Sequence, residues 1–272
     1  MLLPRLLLAC CIAFLASGPA LCHEFWIEPH IFQVDPGVTF SADLKNGQTF
    51  QGTEFAWFDS RVLRSEHHLN GTITPNTGRA GDVPALTLSA PTPGLMIILH
   101  ETTQNVVTYR DWDTFAAFVT EKGLGDARTL HDARALPAPP FKEGYTRLVK
   151  SLVAIGNGAG ADSHKGMEFE LVALANPYTD TKATTLPVQL LYRNAPRADT
   201  QVDIFERAPD RTVTRHHLRT DASGIVEVPL NPGHDYLLNA VILRPPEQER
   251  TKDTNIVWET LWASMTFSRP GT

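Results

Sequence analysis

Short apolar runs separated by turn residues extend along most of this chain, and they constrain its fold more than any other feature. The 272 residues include twenty prolines and eighteen glycines. Runs such as Val38–Leu44 and Phe55–Phe58 are short for helices, and Asn46-Gly47 is a typical hairpin turn. This spacing predicts a mainly β protein built from antiparallel sandwiches.

The run Leu95–His100 is almost continuously apolar and follows the turn Thr92-Pro93-Gly94. This pattern predicts a central strand that is buried on both faces. After residue 165, seven further short runs fit a second small sandwich. These candidate strands are Met167–Ala173, Val188–Tyr192, Gln201–Glu206, Val213–Arg219, Ile225–Val228, Tyr236–Leu243 and Trp258–Phe267.

A helical interval separates the two groups of strands. Apolar residues recur at helical spacing at Trp112, Phe115, Ala116 and Val119, and Gly123 is a plausible stop. A second short helix is predicted between Asp126 and Leu136.

A further stripe leads from Tyr145 through Leu148, Val149 and Leu152 to Val153, and it favours a helix. A strand over Arg147–Ile155 is the alternative. The predicted fold class is therefore mainly β, with two β-sandwich domains of immunoglobulin-like or carboxypeptidase-regulatory-like type. Their predicted ranges are 23–110 and 166–272, and residues 111–165 form the helical segment that joins them.

The N-terminus has the pattern of a secretory signal peptide. Arg5 precedes the apolar run Leu6–Leu15, and the small residues Ala20 and Cys22 precede a cleavage site before His23. Acylation of Cys22 is the alternative, but Pro19 and Leu21 are unsuited to a lipoprotein signal. We therefore expect residues 1–22 to be a cleaved signal peptide and the protein to be periplasmic or secreted.

Composition then limits the partners. Removal of residues 1–22 takes Arg5 away and changes the formal net charge from −6 to −7. Such a charge argues against nucleic acid or an anionic membrane as a partner. No second segment approaches the ~20 apolar residues of a membrane-spanning helix, so no membrane insertion is expected after cleavage. All three cysteines lie in residues 1–22, and any metal must be held by imidazole, amine or carboxylate groups.

Several ordered motifs make the chain resemble a known family. They include HEFWIEP, DLKNGQTFQG, HETTQNVVTYRDW, EGYTRLVKSLVAIGNGAGAD and RTDASGIVEVPLNPGHDYLLNAVIL. The chain resembles the periplasmic nickel-uptake substrate-specific proteins, a family formerly described only as a domain of unknown function. The resemblance implies an exported β-rich protein connected with transition-metal uptake. It also implies a C-terminal half similar to carboxypeptidase-regulatory or transthyretin-like sandwiches.

Cleavage before His23 would give this residue chemistry that an internal histidine lacks. Its α-amine and its imidazole Nδ1 could chelate one ion, and a second imidazole would complete a histidine brace. Tetragonal nitrogen sites of this kind suit copper(II) and nickel(II). His100 is the preferred partner, because it stands where a buried strand ends. The structural alternatives are a strand start for His23 and a hydrogen-bonded core histidine for His100.

His131 and His234 are further candidate ligands, in a short helix and in the turn Pro232–Tyr236. A structural or surface role is the alternative for both. The other six histidines are expected at the surface, at positions 30, 67, 68, 164, 216 and 217. A packed Tyr145 and a solvated Arg147 account for the motif EGYTR.

These observations favour a periplasmic accessory protein that binds a transition metal. The expected metal is nickel, with cobalt or copper as alternatives, and the expected partner is a membrane metal transporter. One competing function is a metal-free sandwich module that docks onto protein or glycan. Another is a histidine-brace copper oxidase. The motifs G-x-S-x-G and H-E-x-x-H are absent from the sequence, so no enzyme is otherwise expected.

Overall fold

The computed structural model describes residues 23–247 and 255–271, so the predicted signal peptide lies outside the described residues. Strands account for 52% of the described residues and helices for 8%, and the predicted mainly β class is confirmed. The helices are α1 (Trp112–Glu121) and α2 (Ala127–Ala133), and a short 3-10 turn covers Asp59–Arg61. Neither helix in this part of the chain has the length and apolar character that crossing a bilayer requires.

The strands of the described residues form three sheets, called here the N-terminal, central and C-terminal sheets. The N-terminal sheet contains β1 (Glu24–Pro29), β3 (Thr39–Gln48), β4 (Gln51–Phe55) and β7 (Leu86–Ser89). The central sheet contains β2 (Gln33–Val34), β5 (Val62–Leu69), β6 (Thr72–Pro75), β8 (Gly94–Thr102), β9 (Asn105–Tyr109), β10 (Phe141–Ile155), β14 (Gln201–Arg207), β15 (Val213–Arg219), β17 (Asp235–Arg244) and β18 (Ile256–Ser268). The C-terminal sheet contains β11 (Phe169–Ala173), β12 (Thr185–Tyr192), β13 (Ala195–Pro196) and β16 (Ile225–Pro229).

The central sheet has the main strand order β15-β14-β17-β18-β10-β8-β5-β6. Strands β10 and β18 pair in parallel in its middle, with Arg147 opposite Trp262 and Val149 opposite Ser264. Strand β17 lies antiparallel to β18, and β8 lies antiparallel to β10. The short strands β2 and β9 also pair with β10.

The central sheet is covered on both faces, because alternate residues of its strands enter different cores. In β8, Leu95 and Ile97 pack with residues of the C-terminal sheet. Met96 and Ile98 pack with residues of the N-terminal sheet. The predicted sandwiches thus appear as two sheet-on-sheet interfaces that share one sheet. The central sheet takes strands from all three predicted ranges. The predicted domain boundaries therefore do not coincide with boundaries between sheets, and they remain a prediction.

Strand β10 corrects the helix that the sequence favoured for its second half. Phe141–Ile155 forms one strand of fifteen residues. The alternative prediction of a strand was therefore correct, but its range of Arg147–Ile155 was too short. Leu148 and Leu152 enter the core on one face, whereas Val149 and Val153 enter the core on the other. A strand buried on both faces loses the alternation of apolar and polar residues, and its apolar pairs then match helical spacing by coincidence.

Both predicted helices exist near their expected positions. Asp111 caps α1, since its side chain accepts a hydrogen bond from the backbone N–H of Thr114 at 2.8 Å. The buried side chains of α1 include Phe115 and Phe118, which pack beside Trp258 and Trp262 of β18. The helices therefore cover a part of the central sheet that belongs to neither sheet interface.

Candidate functional site

His100 lies on β8 and faces the N-terminal sheet. It follows Met96 and Ile98 on the same face of the strand and is 2% exposed. Its ring centroid lies 5.9 Å from that of Trp57 and 6.1 Å from that of Phe25. Burial lowers the pKa of His100 to about 4, so its imidazole is neutral at neutral pH. Its buried Nδ1 has no hydrogen-bond partner among the described residues.

His23 directly precedes β1, which is attached to the central sheet by two side-chain hydroxyls. Ser264 donates to the carbonyl of Phe25 and Thr266 to the carbonyl of Ile27, each at 2.7 Å. Phe25 thus lies beside Ser264, and Ile27 lies beside Thr266. Continued two residues towards the N-terminus, the same alignment puts His23 at the level of Trp262. In an extended chain, side chains two residues apart point to the same side, so His23 points to the side of Phe25, ~7 Å along the strand.

The imidazole of His23 shares one property with that of His100. Its Nδ1 is also buried and lacks a hydrogen-bond partner within residues 23–247 and 255–271. The residue as a whole is half-buried. Buried polar atoms without partners are uncommon in folded proteins, and the same set includes His164 Nε2, His216 Nε2 and His234 Nδ1. His23 and His100 are therefore candidates to bind a ligand.

A cavity opens beside His100, between the N-terminal sheet and the central sheet. The empty space between its lining residues and at its open mouth amounts to about 610 Å³, part of which is open solvent. Its aromatic lining consists of Phe25, Phe55, Trp57, Phe58 and Tyr145. Its polar lining consists of Asn46, Arg61, His100, Thr102, Asn105 and Arg147. An apolar wall with a few polar groups is the usual character of a small-molecule site.

Arg147 corrects the expectation of a solvated arginine, because it is 5% exposed. Its guanidinium lies 3.8 Å from the centre of the Trp262 ring and 5.0 Å from that of Tyr145. Its backbone N–H donates to the hydroxyl of Thr102 at 3.1 Å. Stacking of this kind fixes the plane of the guanidinium beside the cavity.

Trp57 forms a rigid wall of the same cavity. Its indole Nε1 donates to Asp59 Oδ1 at 2.7 Å. Gly78 packs against the ring, where an added Cβ would lie 2.7 Å from the ring carbon Cγ. Glycine is thus required for this close approach, and the loop that follows β6 holds the wall in place.

His131 has a structural environment. Trp258 Nε1 donates to its Nδ1 at 3.1 Å, and its Nε2 lies 3.0 Å from the carbonyl oxygen of Pro137. Its ring also packs against Trp112 and Phe141, at 5.1 and 5.0 Å between centroids. Both nitrogens are engaged in hydrogen bonds, so neither is free to bind a metal in this arrangement.

His234 lies at the other end of β1 and β18. Its Nδ1 is 2.6 Å from Glu206 Oε1, and its backbone carbonyl accepts a hydrogen bond from Arg269. The strand rise puts Ser268, its neighbour in space, ~20 Å from the Trp262 level of His23. The contacts of His131 and His234 therefore separate these two residues from the surroundings of His23 and of His100.

Carboxylates do not join these histidines. No group of three or more His, Cys, Asp or Glu side chains suited to a metal occurs among the described residues. Glu101, next to His100, points to the opposite face of β8 and binds Arg64 at 3.1 Å. Any ion held by His23 and His100 would thus depend on nitrogen ligands.

Sequence reasoning missed the cavity itself. His100 was found because a buried run ends there, but Arg147 and Trp57 gave no comparable signal. Their placement depends on Trp262 and Gly78, which are distant in sequence. An arginine between apolar residues in the run Tyr145–Ile155 was the available hint.

Comparison with protein families identifies the chain. Residues 20–244 match the family model described as a domain of unknown function, DUF4198. The chain belongs to this family. No curated protein matches this DUF4198 chain in sequence.

Two of the solved structures that match this DUF4198 protein are remote from it. The D0-D1 domain of intimin has a TM-score of 0.21 and 10% identity, covering 89% of this chain and 97% of the other. A tetra-tandem repeat from the extending region of a large adhesion protein has a TM-score of 0.22 and 10% identity. That match covers 91% of this chain and 50% of the other. At such scores neither likeness bears on function.

Proposed function

We propose that this DUF4198 protein is a periplasmic accessory protein that binds a transition-metal ion through His23 and His100. One observation supports this proposal above all. The Nδ1 atoms of both imidazoles are buried and lack hydrogen-bond partners in the described part of the chain. The resemblance to nickel-uptake proteins makes nickel the first metal to test, followed by cobalt and copper.

The chemistry of the two residues suits such an ion. His100 is neutral in the metal-free protein, so metal binding displaces no proton from it. Cleavage before His23 would add an α-amine to its imidazole, and the three nitrogens would form a brace for nickel(II) or copper(II). Thiolate ligands are excluded for a chain cleaved there, since every cysteine lies in residues 1–22.

His131 and His234 are left out of the proposed site. Both nitrogens of His131 have hydrogen-bond partners, and His234 Nδ1 lies 2.6 Å from Glu206 Oε1, ~20 Å along β18 from the level of His23. Their removal from the set leaves the α-amine of His23 as the third nitrogen. The metal is cargo in this function, and its receiver is a membrane metal transporter.

The first experiment titrates nickel(II) and copper(II) into protein that begins at His23. We expect a 1:1 complex of micromolar or tighter affinity. One alanine placed before His23 removes the chelating amine and should weaken binding at least about tenfold, as should His100→Gln. His217→Gln is the control, because His217 is exposed on β15 and should leave affinity unchanged.

The result also separates the competing functions. Protein beginning at His23 that binds neither ion in the micromolar range would rule out the proposal and favour a metal-free interaction module. Equal affinity of the alanine-extended protein would move the site away from the amine. For the copper oxidase, the copper complex with a reductant must form hydrogen peroxide, and a lack of peroxide excludes that reaction.

A further inference from the structure

The cavity beside His100 has features that a metal site does not require. Five aromatic side chains line it, and two of them, Phe58 and Trp57, come from the loop between β4 and β5. A bare ion makes no use of such walls. They suit the flat or branched apolar body of an organic molecule.

The charged side chains in the lining of this cavity are two arginines, Arg61 and Arg147. Arg147 is buried in its wall, and the guanidinium of Arg61 lies 5.3 Å from the ring centre of exposed Phe58 at the mouth. No carboxylate is among the lining residues. Arginine in an apolar setting binds carboxylates through two parallel N–H···O bonds, and its stacked plane lowers the entropy lost on binding.

Neutral polar groups complete the lining. The hydroxyl oxygen of Thr102 already accepts from the backbone of Arg147, which leaves its hydrogen available to a ligand. Asn46 and Asn105 supply amides on two different sheets, and Asn105 Nδ2 also donates to Thr103 O at 3.0 Å. These groups can fix the orientation of a bound molecule.

We propose that this cavity binds a small organic carboxylate with an aromatic or branched apolar body, and that Arg147 holds the carboxylate. The site goes beyond the metal function and does not depend on it. The two are compatible, since an anion would offset the positive charge that a bound ion adds near Arg147.

The test uses protein treated with EDTA and two probes of the same shape, benzoate and benzamide. Calorimetry should show saturable 1:1 binding of benzoate in the millimolar range or tighter. Benzamide, which lacks the charge, should bind at least about tenfold more weakly. No saturable binding of benzoate up to about 10 mM, or equal affinity for both probes, would overturn the proposal.

Variants assign the effect to Arg147. Arg147→Lys loses the planar fork and should weaken benzoate at least about tenfold. Its matched control is Arg128→Lys, because Arg128 stacks on Trp112 at 4.7 Å outside the cavity and should leave binding unchanged. If Arg147→Lys does not fold, Asn46→Asp decides the question on a less buried residue.

Asn46→Asp places a negative charge in the lining and should weaken benzoate about tenfold at low salt while sparing benzamide. An unchanged affinity for benzoate in this variant overturns the assignment. Because every measurement is made without metal, the outcome is independent of the nickel and copper titrations. A failure of one proposal therefore leaves the other standing.

Discussion

Glu143 is a carboxyl group that the fold encloses completely, at 0% exposure on β10. The hydroxyl of Thr260 donates to its Oε1, and Trp262 Nε1 donates to the same hydroxyl at 2.9 Å. Burial raises the pKa of Glu143 to about 7, although Thr260, Tyr109 and Arg147 each act to lower it. The folded protein thus holds a proton that the unfolded chain releases near pH 4.5.

The sign of the effect on stability follows. Between pH 4.5 and 7 the folded state binds more protons at Glu143, so the free energy of unfolding should fall as pH rises. The loss amounts to about 3 kcal/mol across that window. Urea unfolding of the wild-type and Glu143→Gln proteins at several pH values measures it. The variant should show a flatter pH profile, and identical profiles would contradict the assignment.

Lys122 connects three elements at the C-terminal end of α1. Its Nζ lies 2.5 Å from Glu24 Oε1 of β1 and 3.0 Å from Asp203 Oδ2 of β14. All three side chains are buried. The contacts join the helix to the N-terminal and central sheets, close to the start of β1 that carries His23.

Removal of this ammonium group should destabilise the protein strongly. Lys122→Met takes the cation from buried Glu24, while Asp203 keeps its contact with Arg215 at 3.3 Å, and the loss should cost about 3–5 kcal/mol. Chemical unfolding gives the difference, with Lys182→Met as the control since Lys182 is exposed. A loss no larger than that of the control would mean that the cluster is readily hydrated.

Elements were predictable from the sequence where one face of the element is solvated or where a turn signal marks its start. The helix α1 combines the cap Asp111 with buried residues at helical spacing, and β8 follows a clear turn signal. Strand β10 was not predictable as a strand over its length, because both of its faces are buried. His100 could be placed at the end of a buried run, whereas the burial of Arg147 depends on its contact with Trp262.

At the scale of the whole molecule, residues 23–247 and 255–271 form three layers in which one sheet contributes to two cores. Ile27 belongs to the core under the N-terminal sheet and Leu171 to the core under the C-terminal sheet. Strand β10 contributes side chains to both cores. Strand β18 contributes side chains to the core under the C-terminal sheet and pairs with β10. We therefore expect the two cores to unfold together, although the sequence predicted two separate domains.

Two variants test this coupling. Ile27→Ala and Leu171→Ala each remove a buried aliphatic side chain and should cost about 2–5 kcal/mol. Both should shift one common transition that far-UV circular dichroism and tryptophan fluorescence report at the same midpoint. Separate transitions, each sensitive to only one substitution, would instead support two independent domains.

The position of β18 has a consequence for the order of folding during synthesis. Residues 256–268 come after every other described strand, yet they pair with both β10 and β17 in the middle of the central sheet. Until they leave the ribosome, β10 and β17 lack the strand that lies between them, and the core under the C-terminal sheet lacks Leu261, Ala263, Met265 and Phe267. For the exported protein proposed above, this core would remain open until β18 arrives, which is the condition in which a chain can still be threaded through a translocation channel.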